Sequence, residues 1–269
     1  MKKVLLLDGY NLLYRARSGY TSGDYAIVYN FFRSFRVLIE KFSPDIAYFA
    51  LEGRPVDRLE QFPNYKAQRS YHDDDGFQRQ KDIIVNLLRR RFPVNVVRHQ
   101  NYEGDDVLAN IATTFHKNDQ CTVVSSDTDF LQLYDKHKHM EIYNPIKKKV
   151  LDKPSVNYVL WKSLRGDPSD NIPGFKGVGN KRAMALIENQ EKLSDFLSKD
   201  DRKSVFERNK SLIQFHEMDT DLEKIETSKP SVDWDAVRAY FTQLEFKTIV
   251  NDDSWKKFTE TFRTLEALD

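Results

Sequence analysis

The stretch "KKVLLLDG", residues 2–9, runs through four apolar residues without a polar break and stops on a carboxylate, Asp8. An unbroken run of that length predicts a strand buried on both faces, which needs helices above and below it. The pattern recurs along the chain. "DIAYFALEG" (45–53) ends on Glu52, and "PVNVVRH" (93–99) leads into "YEGDDVLA" with Glu103, Asp105 and Asp106. "CTVVSSDTDFLQL" (121–133) passes through Asp127 and Asp129. Between these runs, apolar residues at helical spacing predict helices in "DYAIVYNFFRSFRVLIEKF" (24–42) and "GFQRQKDIIVNLLRRRF" (76–92). Strand and helix in alternation argue for an α/β fold with a parallel sheet and helices on both faces. Ligands of such sheets bind beyond the carboxyl ends of the strands, where these acids gather on one rim. From about residue 155 the strand signal fades and helices take over, which places a boundary between 1–155 and 156–269.

Bulk properties bound the reading without deciding it. A net charge of +1 over 269 residues does not announce a nucleic-acid binder. The single cysteine, Cys121, excludes an intramolecular disulfide and is expected as a small buried hydrophobe. The N-terminal apolar run is too short for a signal peptide, and no stretch is long enough to cross a bilayer. The expectation is a cytoplasmic protein with no membrane partner.

Each acidic group has an ordinary explanation when taken alone. Asp8 could cap a helix, Glu103, Asp105 and Asp106 could complement a helix dipole, and Asp127 with Asp129, or Asp167 with Asp170, could shape turns. Gathered on one rim they would repel one another unless cations neutralise them. Carboxylates without thiolates or neighbouring histidines suit hard ions such as Mg²⁺ or Mn²⁺ rather than zinc. There are more acids than one ion needs, so two or more ions are expected, the arrangement used for in-line phosphodiester cleavage. "NYKAQR" adds Tyr65, Lys66 and Arg69. Lys66 is a candidate electrophilic partner for the scissile phosphate, and Tyr65 either stacks on a base or belongs to the core. "RRR" at 89–91 reads as a solvated helix end.

"GDPSDNIPGFKGVGNKRA" (166–183) joins two signals. Asp167 and Asp170 point to metal, whereas Gly174, Lys176, Gly177, Gly179, Asn180 and Lys181 form a glycine-rich hairpin opening a helix, suited to a DNA phosphate.

In order and spacing, "LLLDGYNLLYRA", "FPNYKAQR", "YEGDDVLA", "VVSSDTDFLQL", "GDPSDNIPGFKGVGNKRA" and "DWDAVRAYFTQLEF" resemble the 5′-nuclease family, which includes phage 5′-exonucleases, flap endonucleases and the nuclease domain of bacterial DNA polymerase I. The resemblance implies a PIN-like (resolvase-like) core, a helical arch over the site and a helix-hairpin-helix domain. It implies Mg²⁺- or Mn²⁺-dependent hydrolysis at DNA 5′ ends and branches in replication or repair, by a monomer acting on flaps, nicked duplex or RNA–DNA primers. Asp8, Glu103, Asp105, Asp106, Asp127, Asp129, Asp167 and Asp170 match metal-site acids. Lys66 and Arg69 match the basic pair at the arch base, and Tyr65 a residue beside the nucleotide. Carbonyls of Leu164, Arg165, Pro173, Phe175 and Val178 match a monovalent-cation site that would take K⁺. The chain departs from the pattern at Glu52, where relatives commonly carry aspartate, and in the acidic run Asp73–Asp75 of the arch region. Two other readings stand beside this one: a non-catalytic helix-hairpin-helix protein for branched DNA, which gains nothing from an acidic rim, and a PIN-type ribonuclease, which does not need the hairpin.

Overall fold

The structure, a computed structural model, describes residues 1–19, 23–69, 74–218 and 220–266. Strand β1 (Lys3–Asp8) sends Leu5 and Leu7 into one apolar core and Val4 and Leu6 into another, so both faces are covered. The helix α1 (Gly9–Arg17) starts on the Asp8 carboxylate, which accepts the Asn11 N–H at 3.1 Å. Phe31, Phe32, Phe35, Leu38 and Ile39 of α2 (Ala26–Phe42) recur at helical spacing on the first core, and Ser43 ends the helix in a left-handed conformation. Next come β2 (Ile46–Leu51), the short α3 (Val56–Gln61), α4 (Asp75–Arg91) and β3 (Asn95–Arg98). The helix α5 (Gly104–Asn110), extended by a π turn over Ile111–Phe115, covers the second core and leads to β4 (Gln120–Val124). A 3₁₀ segment at Asp129–Asp135 precedes β5 (Met140–Asn144) and β6 (Lys149–Val150).

A helical lobe follows, made of α6 (Tyr158–Arg165), α7 (Asn180–Ile187), α8 (Gln190–Leu197) and α9 (Arg202–Ile213) around Leu164, Val178, Ala183, Leu186, Phe196 and Phe206. The chain then returns to the sheet through β7 (Glu226–Thr227) and closes with α10 (Trp234–Gln243), α11 (Lys247–Val250), α12 (Asp252–Thr261) and α13 (Arg263–Glu266). The sheet order is β6-β5-β4-β1-β2-β3-β7. The five central strands are parallel, as expected, but both edges, β6 and β7, are antiparallel. Because β1 lies between β2 and β4, the chain reverses its course across the sheet beside Asp8, and a crevice opens at that switch point.

The packing of the last helices crosses the expected boundary at 155. Residues from α10 to α13 join the core of the first sheet face, where Phe92 meets Trp234 at 5.2 Å and Phe262 at 5.3 Å. The helices from α6 to α9 have a core of their own, and Val159, Leu212 and Ile213 of the same lobe pack on Tyr65 of the first part. Where the resemblance puts an arch, the described residues hold α3, a run of turns over 63–68 and the start of α4. Asp73 of the acidic run lies outside the described residues. Asp74 caps α4, accepting the Phe77 N–H at 2.7 Å. No helix among the described residues is long and apolar enough to cross a membrane.

Candidate metal centre and nucleic-acid interface

Four acids stand at the strand ends. Asp8 finishes β1 and accepts a 2.6 Å hydrogen bond from Ser125 Oγ, just after β4. Glu52 follows β2 and accepts the Gly104 N–H at 2.8 Å, at the start of α5. Asp105 lies in the first turn of α5 and Asp127 in the loop after β4, where it accepts the Asp129 N–H at 2.8 Å. Among the described residues, none of these four carboxylates makes an ion pair, although all line one cavity of about 1440 Å³. Burial pushes the Asp8 carboxyl up to about 6. It pushes Glu52 up to about 7, with the charges of Glu103 and Asp8 adding to the effect. Asp105 is raised well above the carboxylate range, first by burial and then by Asp106 and Glu103. Carboxylates crowded together without ion-pair partners are a cation deficit.

The other acids are paired. Arg58, buried on α3, grips Asp106 with two nitrogens at 2.5 and 2.8 Å and reaches Glu103 at 2.6 Å. Asp106 also accepts the His216 N–H at 2.9 Å. The Asp106 side chain is thus engaged by Arg58 and the backbone, and it still offers an oxygen within 4.8 Å of ligand oxygens of Glu103 and Asp105. Lys66 pairs with Glu103 and lies 3.7 Å from Asp170, and Arg69 pairs with Asp170. Burial alone would lower the Lys66 ammonium, but Glu103, Asp105 and Asp170 outweigh it and hold it above the ordinary lysine range. Against burial, the same Lys66 and Arg58 charges keep Glu103 below the usual carboxylate range.

Asp129, Asp167 and Asp170 form a second group, with carboxylate oxygens within 4.8 Å of one another. Lys162 of α6 pairs with both Asp129 and Asp167. Asp167 and Ile172 exchange two 2.8 Å backbone hydrogen bonds, fixing the tight turn that presents Asp170. That turn closes because Gly174 has no side chain: a Cβ there would lie 1.8 Å from the Arg165 carbonyl oxygen. The basic turn docks directly on it. Lys66 adopts φ 55 and donates its N–H to the Asp170 carbonyl at 3.1 Å, while Gln68 reaches the Pro168 carbonyl at 2.8 Å. A lysine held in the left-handed region is a strained residue kept in place by its surroundings.

The remaining candidate residues fall as follows. Tyr65 is 5% exposed, packs with Val159, Ile172, Leu212 and Ile213, and donates its hydroxyl to Glu103 at 2.9 Å. Its ring thus belongs to the core, one of the two places expected for it, while its hydroxyl reaches Glu103 at the cavity wall. Of the carbonyls expected around a monovalent cation, Leu164 accepts the Phe175 N–H, Phe175 accepts that of Val178, and Pro173 accepts Asn209 Nδ2. Each accepts one hydrogen bond within the lobe, which leaves its second lone pair for a ligand. Arg91 is no free helix end, since it pairs with Asp233. Sequence reasoning missed Arg58 and Lys162. The only signal for Lys162 was a lysine on the apolar side of "YVLWKSLR", four residues after Tyr158.

The cavity rim is basic, with Arg15, Arg33, Arg54, Arg98 and Lys148. Away from it, Lys176, Gly177, Gly179, Asn180 and Lys181 are exposed at the start of α7, whose N-cap, Gly179, supplies no side-chain cap. That leaves backbone donors and two lysines facing outward, as an anion site requires.

Comparison with known proteins agrees with this geometry. The sequence model described as "5′-3′ exonuclease, N-terminal resolvase-like domain" matches residues 3–159, and "5′-3′ exonuclease, C-terminal SAM fold" matches residues 154–243. The chain belongs to the 5′-3′ exonuclease family. A 5′-3′ exonuclease of Mycoplasmopsis pulmonis is 30% identical, over 71% of this chain and 68% of the relative. Thermostable DNA polymerase I of Thermus aquaticus is 30% identical over 93% of this chain, but the match spans 33% of the polymerase. The chain thus covers about a third of the length of the polymerase relatives it matches. The bacteriophage T5 D15 flap endonuclease, solved as a pseudo-enzyme-product complex with DNA and metal ions, shares the fold with a TM-score of 0.66 and 19% identity, covering 98% of this chain and 100% of that one. The mixed seven-stranded sheet with its resolvase-like core and SAM-like lobe is therefore the fold of this exonuclease family.

Proposed function

We propose that this chain is a structure-specific 5′-3′ exonuclease and flap endonuclease that hydrolyses DNA phosphodiesters at 5′ ends and branches, in replication or repair. One observation carries the reading: four carboxylates without an ion pair among the described residues, Asp8, Glu52, Asp105 and Asp127, face a cavity rimmed by arginines and lysines. A binding protein would have no use for that deficit, because it repels DNA.

The donor set fits a hard divalent ion, Mg²⁺ or Mn²⁺: every candidate donor is a carboxylate oxygen, with no thiolate in reach. Asp8, Glu52, Asp105 and Asp127 would hold it, with Asp129, Asp167 and Asp170 as a second group. Such ions supply activation of the attacking water and stabilisation of the leaving oxygen. The protein's own groups do the rest. Lys66 and Arg69, docked on the Asp170 turn, are placed to offset negative charge growing on the scissile phosphate. Tyr65 and Arg58 fix Glu103 from below. The exposed start of α7 would hold duplex backbone away from the reaction, positioning without reading sequence. The product expected is a 5′-phosphate and a 3′-hydroxyl.

The direct test is incubation with end-labelled 5′-flap, nicked and single-stranded DNA, with Mg²⁺ or with EDTA. Cleavage at the flap junction that EDTA abolishes supports the reading; intact flap DNA in Mg²⁺ and in Mn²⁺ refutes it.

A further inference from the structure

Lys162 has no part in the function proposed above, yet it is 5% exposed and sits among the second group of acids. Its Nζ bridges Asp129 Oδ1 and Asp167 Oδ2, the latter at 2.6 Å. Tyr158 holds the same place from the other side, donating its hydroxyl to Thr128 at 2.8 Å and to Asp129 at 3.3 Å. The third acid, Asp170, pairs with Arg69 and has Lys66 3.7 Å away. Three carboxylates thus meet three protein cations, whereas the strand-end acids meet none within ion-pair reach among the described residues. An ion ligated by both Asp129 and Asp167 would take the position of the Nζ, and two cations cannot share it.

We propose that Lys162 is a built-in cation occupying the position of a second divalent ion, so that the chain binds one ion tightly at the strand-end acids and a second only by displacing this ammonium. The inference rests on the reading that these acids hold divalent ions. It makes Lys162 a positioning residue: it keeps Asp129 and Asp167 together before the second ion arrives and sets how readily that ion enters. A plain structural ion pair would leave ion affinity untouched.

Calorimetric titration of the whole chain with Mn²⁺ at pH 7.5 separates the two. The parent should take up one ion tightly and a second at least tenfold more weakly. Lys162→Met should tighten the second ion tenfold or more, and should melt lower than the parent without metal but recover when Mn²⁺ is added. An unchanged second affinity in Lys162→Met overturns the proposal. Lys162→Arg retains the charge and should retain the weak second site even where the methionine variant does not fold; a tightened second site in Lys162→Arg overturns the proposal equally. So does a parent crystal at high Mn²⁺ with an ion between Asp129 and Asp167 and the Lys162 Nζ still bridging them. If the parent binds no ion at all, the metal reading itself fails, and this inference with it.

Discussion

The acids at the strand ends and the acids beneath the helical lobe are the same chemical groups with different partners: among the described residues the first make no ion pair, whereas Lys162, Arg69 and Lys66 stand against the second. Asp8, Glu52 and Asp105 make no ion pair among the described residues and are pushed toward protonation, first by burial, with Lys66 opposing only in part. Asp167, although burial opposes it, is held below the usual carboxylate range by Lys162 and Ser169. The difference teaches where the chain stores its deficit. The sheet supplies acids from four separate loops and leaves them in want of a cation, whereas the lobe brings its own lysine.

The contrast can be broken most severely at Asp105. Asp105→Asn should slow flap cleavage on the order of 10³-fold. Because the amide removes a destabilising buried charge, the metal-free variant should also melt above the parent at pH 7.5; a lower melting temperature would show that Asp105 is not in deficit. Arg58→Met should do the reverse. It strands Asp106 and Glu103 without their partner, a loss of about 3–5 kcal/mol in chemical denaturation. Lys66→Ala should reduce the cleavage rate about 10²-fold in single-turnover assays while DNA affinity stays within a few-fold of the parent.

A smaller effect should follow from pH. With folded values of about 6 and 7, Asp8 and Glu52 bind protons that the unfolded chain has already released. Stability from these groups is full below about pH 4 and is lost as pH rises through 6 and 7. The metal-free protein should therefore melt several degrees lower at pH 7.5 than at pH 5, and Mg²⁺ should restore the difference at 7.5 with little effect at 5. Thermal melts at both values check it. Glu103 and Asp167, both lowered by their lysine partners, titrate in the opposite sense and below this window, whereas burial pushes Asp129 up to about 6 despite Lys162, so it adds to the same loss. The smallest effect is expected at Lys181, where Lys181→Ala should lower the slope of log affinity against log salt by about 1 without changing substrate preference.

The sheet was legible because its strands are continuous apolar runs that end on acids, as in "KVLLLD" and "IAYFAL". The edge strands β6 and β7 were not: each is two exposed residues long, and pairing with a distant partner defines it. The acids themselves could be picked out from spacing, but their division into paired and unpaired sets could not. That division depends on Arg58 and Lys162, which meet their partners across 48 and 33 residues of chain. Tyr65 was ambiguous between core and nucleotide because "NYKAQR" gives no sign of the Val159, Ile172 and Leu212 that bury it. Cys121 was plainly readable inside its strand, and burial pushes its thiol up to about 12.

The aromatic seam between α2, α4 and the final helices has a practical consequence. Phe32 stacks on Phe92 at 4.9 Å, and Trp234, Phe241, Phe258 and Phe262 lie over them. A gene fragment trimmed at residue 159, where the N-terminal sequence model stops, would bare this greasy wall to water. The two matched segments follow one another in the sequence, yet they cannot be swapped between relatives as independent cassettes. Any chimera must carry its own closing helices with its own sheet.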